Sequence, residues 1–175
     1  MYSGLFVGRF HAQKGLSDLV AVWRDVLAVM PSATLGVIGD GFGLAAVEFR
    51  RMLADLPGGG VKLLGVLTGK DKYAAMQQSE VFIFPSHYES WGHVALEAMA
   101  MGRPVVGYDI PSSREAFGSA MVLIPPYDTH AMASAVVKLL TDKEQFHNYR
   151  TRSLSLASRF DWDDIAREFA NRLLN

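Results

Sequence analysis

Two cations stand in one glycine-flanked loop of this chain: Arg9 and Lys14 within Gly8-Arg9-Phe10-His11-Ala12-Gln13-Lys14-Gly15. The loop runs into a segment of helical period. A lysine at a helix start opposes the macrodipole, so helix stability explains this pair poorly and a bound anion such as a diphosphate explains it well. The alternative is that both are solvated or paired with Asp18 or Asp40. A second group lies in Pro85-Ser86-His87-Tyr88-Glu89-Ser90-Trp91-Gly92-His93-Val94-Ala95-Leu96-Glu97. Val94 to Met101 is apolar nearly all round apart from Glu97, so the helix should be buried and the carboxylate must have a partner. Vicinal hydroxyls of a ribose or sugar would serve, as would a pair with Arg103 or Arg114. Glu89 can take a second set of hydroxyls, and the amides of Gly92, His93 and Val94 at the helix start suit phosphate.

Other residues carry weaker chemistry. Gly39-Asp40-Gly41-Phe42-Gly43-Leu44 matches a dinucleotide fingerprint only in part, and its glycines are better read as permitting a tight turn and a close approach. His87, His93 and Glu89 lack metal-ligand spacing, so no metal is expected. No Gly-x-Ser-x-Gly elbow is present. In Asp109-Ile110-Pro111-Ser112-Ser113-Arg114-Glu115, Ser112 or Ser113 can cap a short helix, and Arg114 can meet either a ligand or Glu97.

The elements that must position these residues follow from periodicity. Six short apolar runs occur at Gly4 to Gly8, Thr34 to Ile38, Val61 to Leu64, Val81 to Phe84, Pro104 to Gly107 and Ala120 to Ile124. They are apolar throughout and so suit strands covered on both faces. Between them lie helical stripes: Leu16 to Met30, Leu44 to Leu56 and Lys70 to Gln78. The pattern predicts a Rossmann-like, doubly wound parallel α/β sheet of about six strands with helices on both faces. Helices follow at Ala131 to Leu140, around Lys143 to Leu156, and from Trp162 to Leu174 with Asp161 as cap.

The 175 residues suit one domain, residues 1–175, burying roughly two thirds of its unfolded surface. Half the residues are hydrophobic and 20% are charged, which excludes a disordered chain. With 17 basic and 18 acidic residues the formal charge is −1, so nucleic acid is not an expected partner. The absence of cysteine excludes disulfide scaffolds and thiolate sites. No apolar stretch is long enough to span a bilayer, and a cytoplasmic location is expected.

Taken in order, these residues resemble the donor-binding C-terminal domain of retaining GT-B glycosyltransferases, specifically family 4. The resemblance rests on Gly8-Arg9 with Lys14-Gly15, Gly39-Asp40-Gly41, Leu64-Gly65-Val66 and Pro85-Ser86. Above all it rests on two glutamates, Glu89 and Glu97, separated by seven residues and followed by Ala98-Met99-Ala100 and Gly102-Arg103-Pro104-Val105-Val106. It implies that Arg9 and Lys14 bind the donor diphosphate and that Glu89 holds the transferred sugar. It further implies that Glu97 holds the ribose, that Gly8, Gly92, His93 and Val94 meet the phosphates, and that Gly65, Val66 and Leu67 meet the base. The donor would be a UDP- or GDP-sugar used without metal or other cofactor. The acceptor, a polysaccharide or lipid-linked glycan, would be bound by an N-terminal domain that this chain lacks. The full-length protein would then work in the cytoplasm, either free or peripheral to the inner face of the membrane. Without that partner domain, apolar surface is expected near Phe10, Phe42 and Trp91. The competing readings are a non-catalytic Rossmann-like nucleotide-binding module and a nucleotide-sugar epimerase domain.

Overall fold

The structure, a computed structural model, describes residues 1–160. Its strands are β1 (Tyr2–Val7), β2 (Leu35–Ile38), β3 (Val61–Gly65), β4 (Ser79–Phe84), β5 (Val105–Tyr108) and β6 (Met121–Ile124). They form one sheet in the order β3-β2-β1-β4-β5-β6, and every pairing is parallel. The helices are α1 (Leu16–Val29), α2 (Leu44–Ala54), α3 (Gly69–Gln77), α4 (His93–Ala100), α5 (Pro111–Phe117), α6 (Thr129–Thr141) and α7 (Lys143–Ala157). The doubly wound sheet expected from the apolar runs is the observed architecture. The expected helix from Trp162 and its cap Asp161 lie outside the described residues.

Alternation along buried strands explains why the runs are apolar throughout. In β4, Val81 and Ile83 join the cluster that holds Trp23 of α1, Phe49 of α2 and Val136 of α6. Phe82 and Phe84 join the opposite cluster with Met76 of α3 and Ala98 and Met99 of α4. Both sides of a central parallel strand face helices, so neither side tolerates a polar residue. β3 is different: it ends the sheet, and Leu63 is 50% exposed with Lys62 and Gly65 also exposed. The expectation of cover on both faces fails there because little of any helix packs over this strand, whereas the other edge strand, β6, lies against α5, α6 and α7 and stays largely covered.

The strand order also fixes where a ligand can sit. Connections from β1 lead one way along the sheet, to β2 and β3, and those from β4 lead the other way. The crevice at the carboxyl ends of β1 and β4 is the switch point of such a sheet. The loops leaving those two strands carry Arg9 and Lys14 on one side and Glu89 on the other.

Candidate functional site

The β1–α1 loop closes with a short 3-10 turn, Ala12–Lys14, and then Gly15, whose φ is +65°. A Cβ on Gly15 would stand 1.9 Å from the carbonyl oxygen of Pro85, so only glycine allows α1 to begin this close to β4. The two loops are tied further by the His87 amide, which donates to the Gln13 carbonyl at 2.9 Å. These contacts bring Lys14 Nζ to 2.5 Å from Glu89 Oε1, with the two side chains 17% and 11% exposed. Ser86 Oγ donates to the same Glu89 oxygen at 2.9 Å. Oε1 therefore carries both protein contacts and Oε2 carries neither.

Asp18, on the first turn of α1, fastens the loop from below. Its Oδ2 lies 2.9 Å from His87 Nε2 and accepts from the Tyr108 hydroxyl at 2.6 Å. Burial, followed by the bond to Asp18, pushes the Tyr108 hydroxyl well above its ordinary value, so it stays protonated and donates. The rings of His87 and Tyr127 lie 4.8 Å apart, and Tyr127 is a non-glycine residue at a φ of +66°. This network joins the ends of β4, β5 and β6 to α1. Sequence reasoning did not find it, because its members lie as far apart as residues 18 and 108 and none breaks a local rule.

Gly92, at a φ of +94°, starts α4 without a side-chain cap. A side chain there would press on Phe117 and Phe84, at 3.2 and 3.3 Å. The first amides of α4, including those of His93 and Val94, have no intrahelical acceptor and face the end of the sheet that carries Glu89. Glu97 is one turn further on. Its partner is neither Arg103 nor Arg114, as the sequence suggested, but Lys72 of α3, whose Nζ lies 2.8 Å from Oε1 and 2.7 Å from Oε2. Arg103 instead donates to the carbonyls of Met101 and Ser79, and burial lowers its affinity for its proton. Arg114 is bound to Asp109 at 2.9 and 2.8 Å, and its guanidinium holds that carboxyl below the usual range. Only Ala95, Ala98 and Met99 of α4 are fully buried, so the helix has one covered face instead of the all-round cover expected.

The remaining expectations divide. Asp18 and Asp40 do not hold Lys14 or Arg9, since Asp40 binds Arg50. Among the described residues the exposed Arg9 side chain makes no hydrogen bond or ion pair. Gly8 and Gly39 meet closely, as a Cβ on Gly39 would lie 1.9 Å from the Gly8 carbonyl oxygen, so what this glycine admits is the neighbouring loop of the same sheet. Gly65, at a φ of +67°, accepts from the Gly39 amide at 2.8 Å, so the segment Gly65, Val66 and Leu67 borders the same edge. Ser112 and Ser113 do not cap α5: Pro111 starts it, no side-chain cap bond forms, and Ser113 is buried. Phe10 is buried against Phe49, with ring centroids 4.9 Å apart, so it adds nothing to the exposed apolar surface. Trp91 is half-buried against Phe117 and Phe160, whereas Phe42 is 97% exposed. Among the described residues no group of three or more His, Cys, Asp or Glu could hold a metal ion, and no helix is long and apolar enough to cross a membrane.

A cavity of about 1120 Å³ opens from Glu89 and Trp91 towards Glu115, Phe117, Arg152 and Phe160. Of the predicted site residues it reaches Glu89 alone. Lys14 and the backbone of Gly92, His93 and Val94 do not line it; they stand where α1 and α4 start.

The family profile described as "Glycosyl transferases group 1" matches residues 2–142. The phosphatidyl-myo-inositol mannosyltransferase of Mycolicibacterium smegmatis is 32% identical over 167 residues, which are 93% of this chain and 42% of that protein. The crystal structure of Anabaena HepE in complex with UDP and glucose superposes with a TM-score of 0.87 at 22% identity, over 99% of this chain and 48% of that one. The solved C-terminal domain of the group 1 glycosyl transferase LpcC from Francisella tularensis superposes with a TM-score of 0.73 at 19% identity, over 90% of this chain and 85% of that one. These two likenesses are of fold. The chain spans about two fifths of the length of the curated relatives it matches.

Proposed function

The chain belongs to the glycosyl transferases group 1 family, and on that premise we propose that it is the nucleotide-sugar donor domain of a retaining GT-B hexosyltransferase. The observation that carries this reading is the pair of glutamates flanking the uncapped start of α4, each already held by one lysine. In the proposed reaction the bond between the sugar's anomeric carbon and the diphosphate breaks. A bond to an acceptor oxygen forms on the same face, the acceptor's hydroxyl proton passes to the departing phosphate oxygen, and the nucleoside diphosphate leaves. Negative charge builds on the departing phosphate. Arg9, Lys14 and the α4 amides of Gly92, His93 and Val94 are the groups that meet it, and fixed donors aimed at developing charge lower the barrier. This supply of positive charge is the reason we expect transfer without a metal.

Glu89 offers its uncommitted oxygen Oε2 to a hydroxyl of the sugar, while Glu97 takes the ribose. Gly65, Val66 and Leu67 border the base, and Gly8 lets the phosphates approach the backbone. The acceptor, a polysaccharide or a lipid-linked glycan, is assigned to an N-terminal domain outside this chain. That assignment accords with the share of its relatives that the chain covers. The full enzyme would work in the cytoplasm, either free or peripheral to the inner face of the membrane. This chain alone should bind donor and transfer almost nothing, because the cleft of such an enzyme needs both halves.

Calorimetric titration with UDP, GDP, ADP and one sugar conjugate of each, without added metal, tests the reading. Binding of one nucleotide, lost on Lys14→Ala or Glu97→Ala, is the expected result. Unchanged affinity in both variants, or no binding by the parent chain, would overturn the site. Transfer to a range of acceptors by this chain alone would overturn its description as half an enzyme.

A further inference from the structure

The segment that leads from β4 to Glu89 is held against the start of α1 at the backbone and by side chains. The Pro85 carbonyl lies against Gly15, and the His87 amide donates to the Gln13 carbonyl. The side-chain contact is His87 Nε2 with Asp18 Oδ2 at 2.9 Å. A carboxylate has no proton to give, so Nε2 donates. An acid in the first turn of a helix ordinarily serves the free amides of that helix. Among the described residues Asp18 instead bonds Ser17, His87 and Tyr108, and no amide of α1 donates to it. Tyr108 is buried and requires an acceptor, whereas the His87 side chain is 26% exposed and could turn to water. Tyr127 keeps it in place, with its ring 4.8 Å from that of His87. It does so at a φ of +66°, a left-handed conformation unfavourable to a bulky side chain, and while 68% exposed itself. Its own burial does not explain a strained, exposed tyrosine; the cover it gives His87 does, and such strain gathers where a site must be held in one geometry.

We propose that His87, anchored on Asp18 and covered by Tyr127, is a positioning residue that sets the turn between β4 and α4 so that Glu89 presents its uncommitted Oε2 to the transferred sugar. The proposal rests on the reading of Glu89 as the partner of that sugar. Only Tyr88 separates His87 from Glu89, and Ser86, on the other side of His87, bonds Glu89 Oε1 at 2.9 Å. A turn this short passes a displacement of its middle to both ends. Loss of the His87 side chain leaves both backbone contacts in place, so the turn stays on α1 and the error falls on the direction of Glu89. The affinity for nucleotide then reports the integrity of the site, and the contribution of the sugar reports Glu89.

The experiment measures the affinity of this chain for a nucleotide sugar divided by that for its nucleotide, by calorimetric titration. The pairs are UDP-glucose and UDP-N-acetylglucosamine against UDP, and GDP-mannose against GDP. The parent is compared with Glu89→Gln, His87→Leu, His87→Gln, Tyr127→Gly and the double variant of His87→Leu with Glu89→Gln, each checked for folding by circular dichroism. For the conjugate that the parent binds, Glu89→Gln should lower the ratio about fivefold or more, the difference between a charged and a neutral acceptor. His87→Leu and Tyr127→Gly should each lower it about threefold or more, the effect of a misplaced group, with nucleotide affinity within about twofold of the parent. Adding His87→Leu to Glu89→Gln should lower it no further, the signature of two residues acting as one unit. His87→Gln, whose amide nitrogen can donate to Asp18 in place of Nε2, should return the ratio to near the parent value. Tyr127→Gly, which relieves the backbone, serves if His87→Leu does not fold. A ratio that Glu89→Gln lowers but His87→Leu and Tyr127→Gly leave unchanged overturns the positioning role and keeps Glu89 in place. Equal loss of nucleotide and conjugate affinity, or no recovery in His87→Gln, marks a merely structural contact and overturns it as well. A ratio that Glu89→Gln does not move, or a parent that binds no conjugate, overturns the reading of Glu89 and the inference with it.

Discussion

Gly15→Ala offers the sharpest test of how the site is assembled. Gly15 has a φ of +65°, which costs an L-residue roughly 1–2 kcal/mol. The added methyl would also lie 1.9 Å from the Pro85 carbonyl oxygen, whereas real Cβ contacts essentially never fall below 3.0 Å. The start of α1 and the end of β4 must therefore part by about 1.1 Å. Such a shift disturbs the packing of Leu16 and Leu19, both buried, and forces costs of about 1–3 kcal/mol typical of an overfilled core. The combined loss is about 2–5 kcal/mol. Gly58→Ala is the control: its φ is +77° and its ψ 7°, yet the nearest atom to the added methyl is the Pro31 carbonyl oxygen at 4.0 Å, so it should lose only the conformational cost of roughly 1–2 kcal/mol. Urea unfolding followed by circular dichroism measures both. Gly15→Ala should also widen the 2.5 Å gap between Lys14 and Glu89 and weaken nucleotide binding, while Gly58→Ala should not. Equal destabilisation of the two variants, or full nucleotide affinity in Gly15→Ala, would refute the claim that this close approach builds the site.

Two further outcomes can be checked on the same material. The Tyr108 hydroxyl is raised above its ordinary value of 10.0, so the neutral form is favoured in the folded chain. Its contribution is whole below pH 10 and is lost as the pH rises beyond it, because the unfolded chain then releases a proton that the folded chain retains. Tyr108→Phe should accordingly flatten the alkaline fall in urea midpoint above pH 10, and an unchanged slope would contradict the assignment. Asp128 caps α6 by accepting from the Ala131 amide at 2.8 Å, so Asp128→Ala should cost about 1 kcal/mol in the same assay with nucleotide affinity unchanged.

Much of this molecule is legible along the chain. Strand and helix periods are local properties, and six apolar runs with amphipathic stretches between them identify a doubly wound sheet. A cation at a helix start and a carboxylate on an apolar helix each break a local rule, and so Lys14 and Glu97 stand out. Lys72 breaks the same rule as Lys14 and could have been found by it. What the chain does not state is which offending residue meets which. Lys14 could have met Asp18 or Asp40, which are nearer in sequence, but it meets Glu89, 75 positions away. Glu97 could have met Arg103, but it meets Lys72 on a different helix. Asp18 closes a network with Tyr108 across 90 positions. These choices depend on strand order, which sets β1 beside β4 and β4 beside β5, and on which face each helix covers. Attraction between charges falls with distance through space and takes no account of separation along the chain, so only the packed sheet could assign the partners.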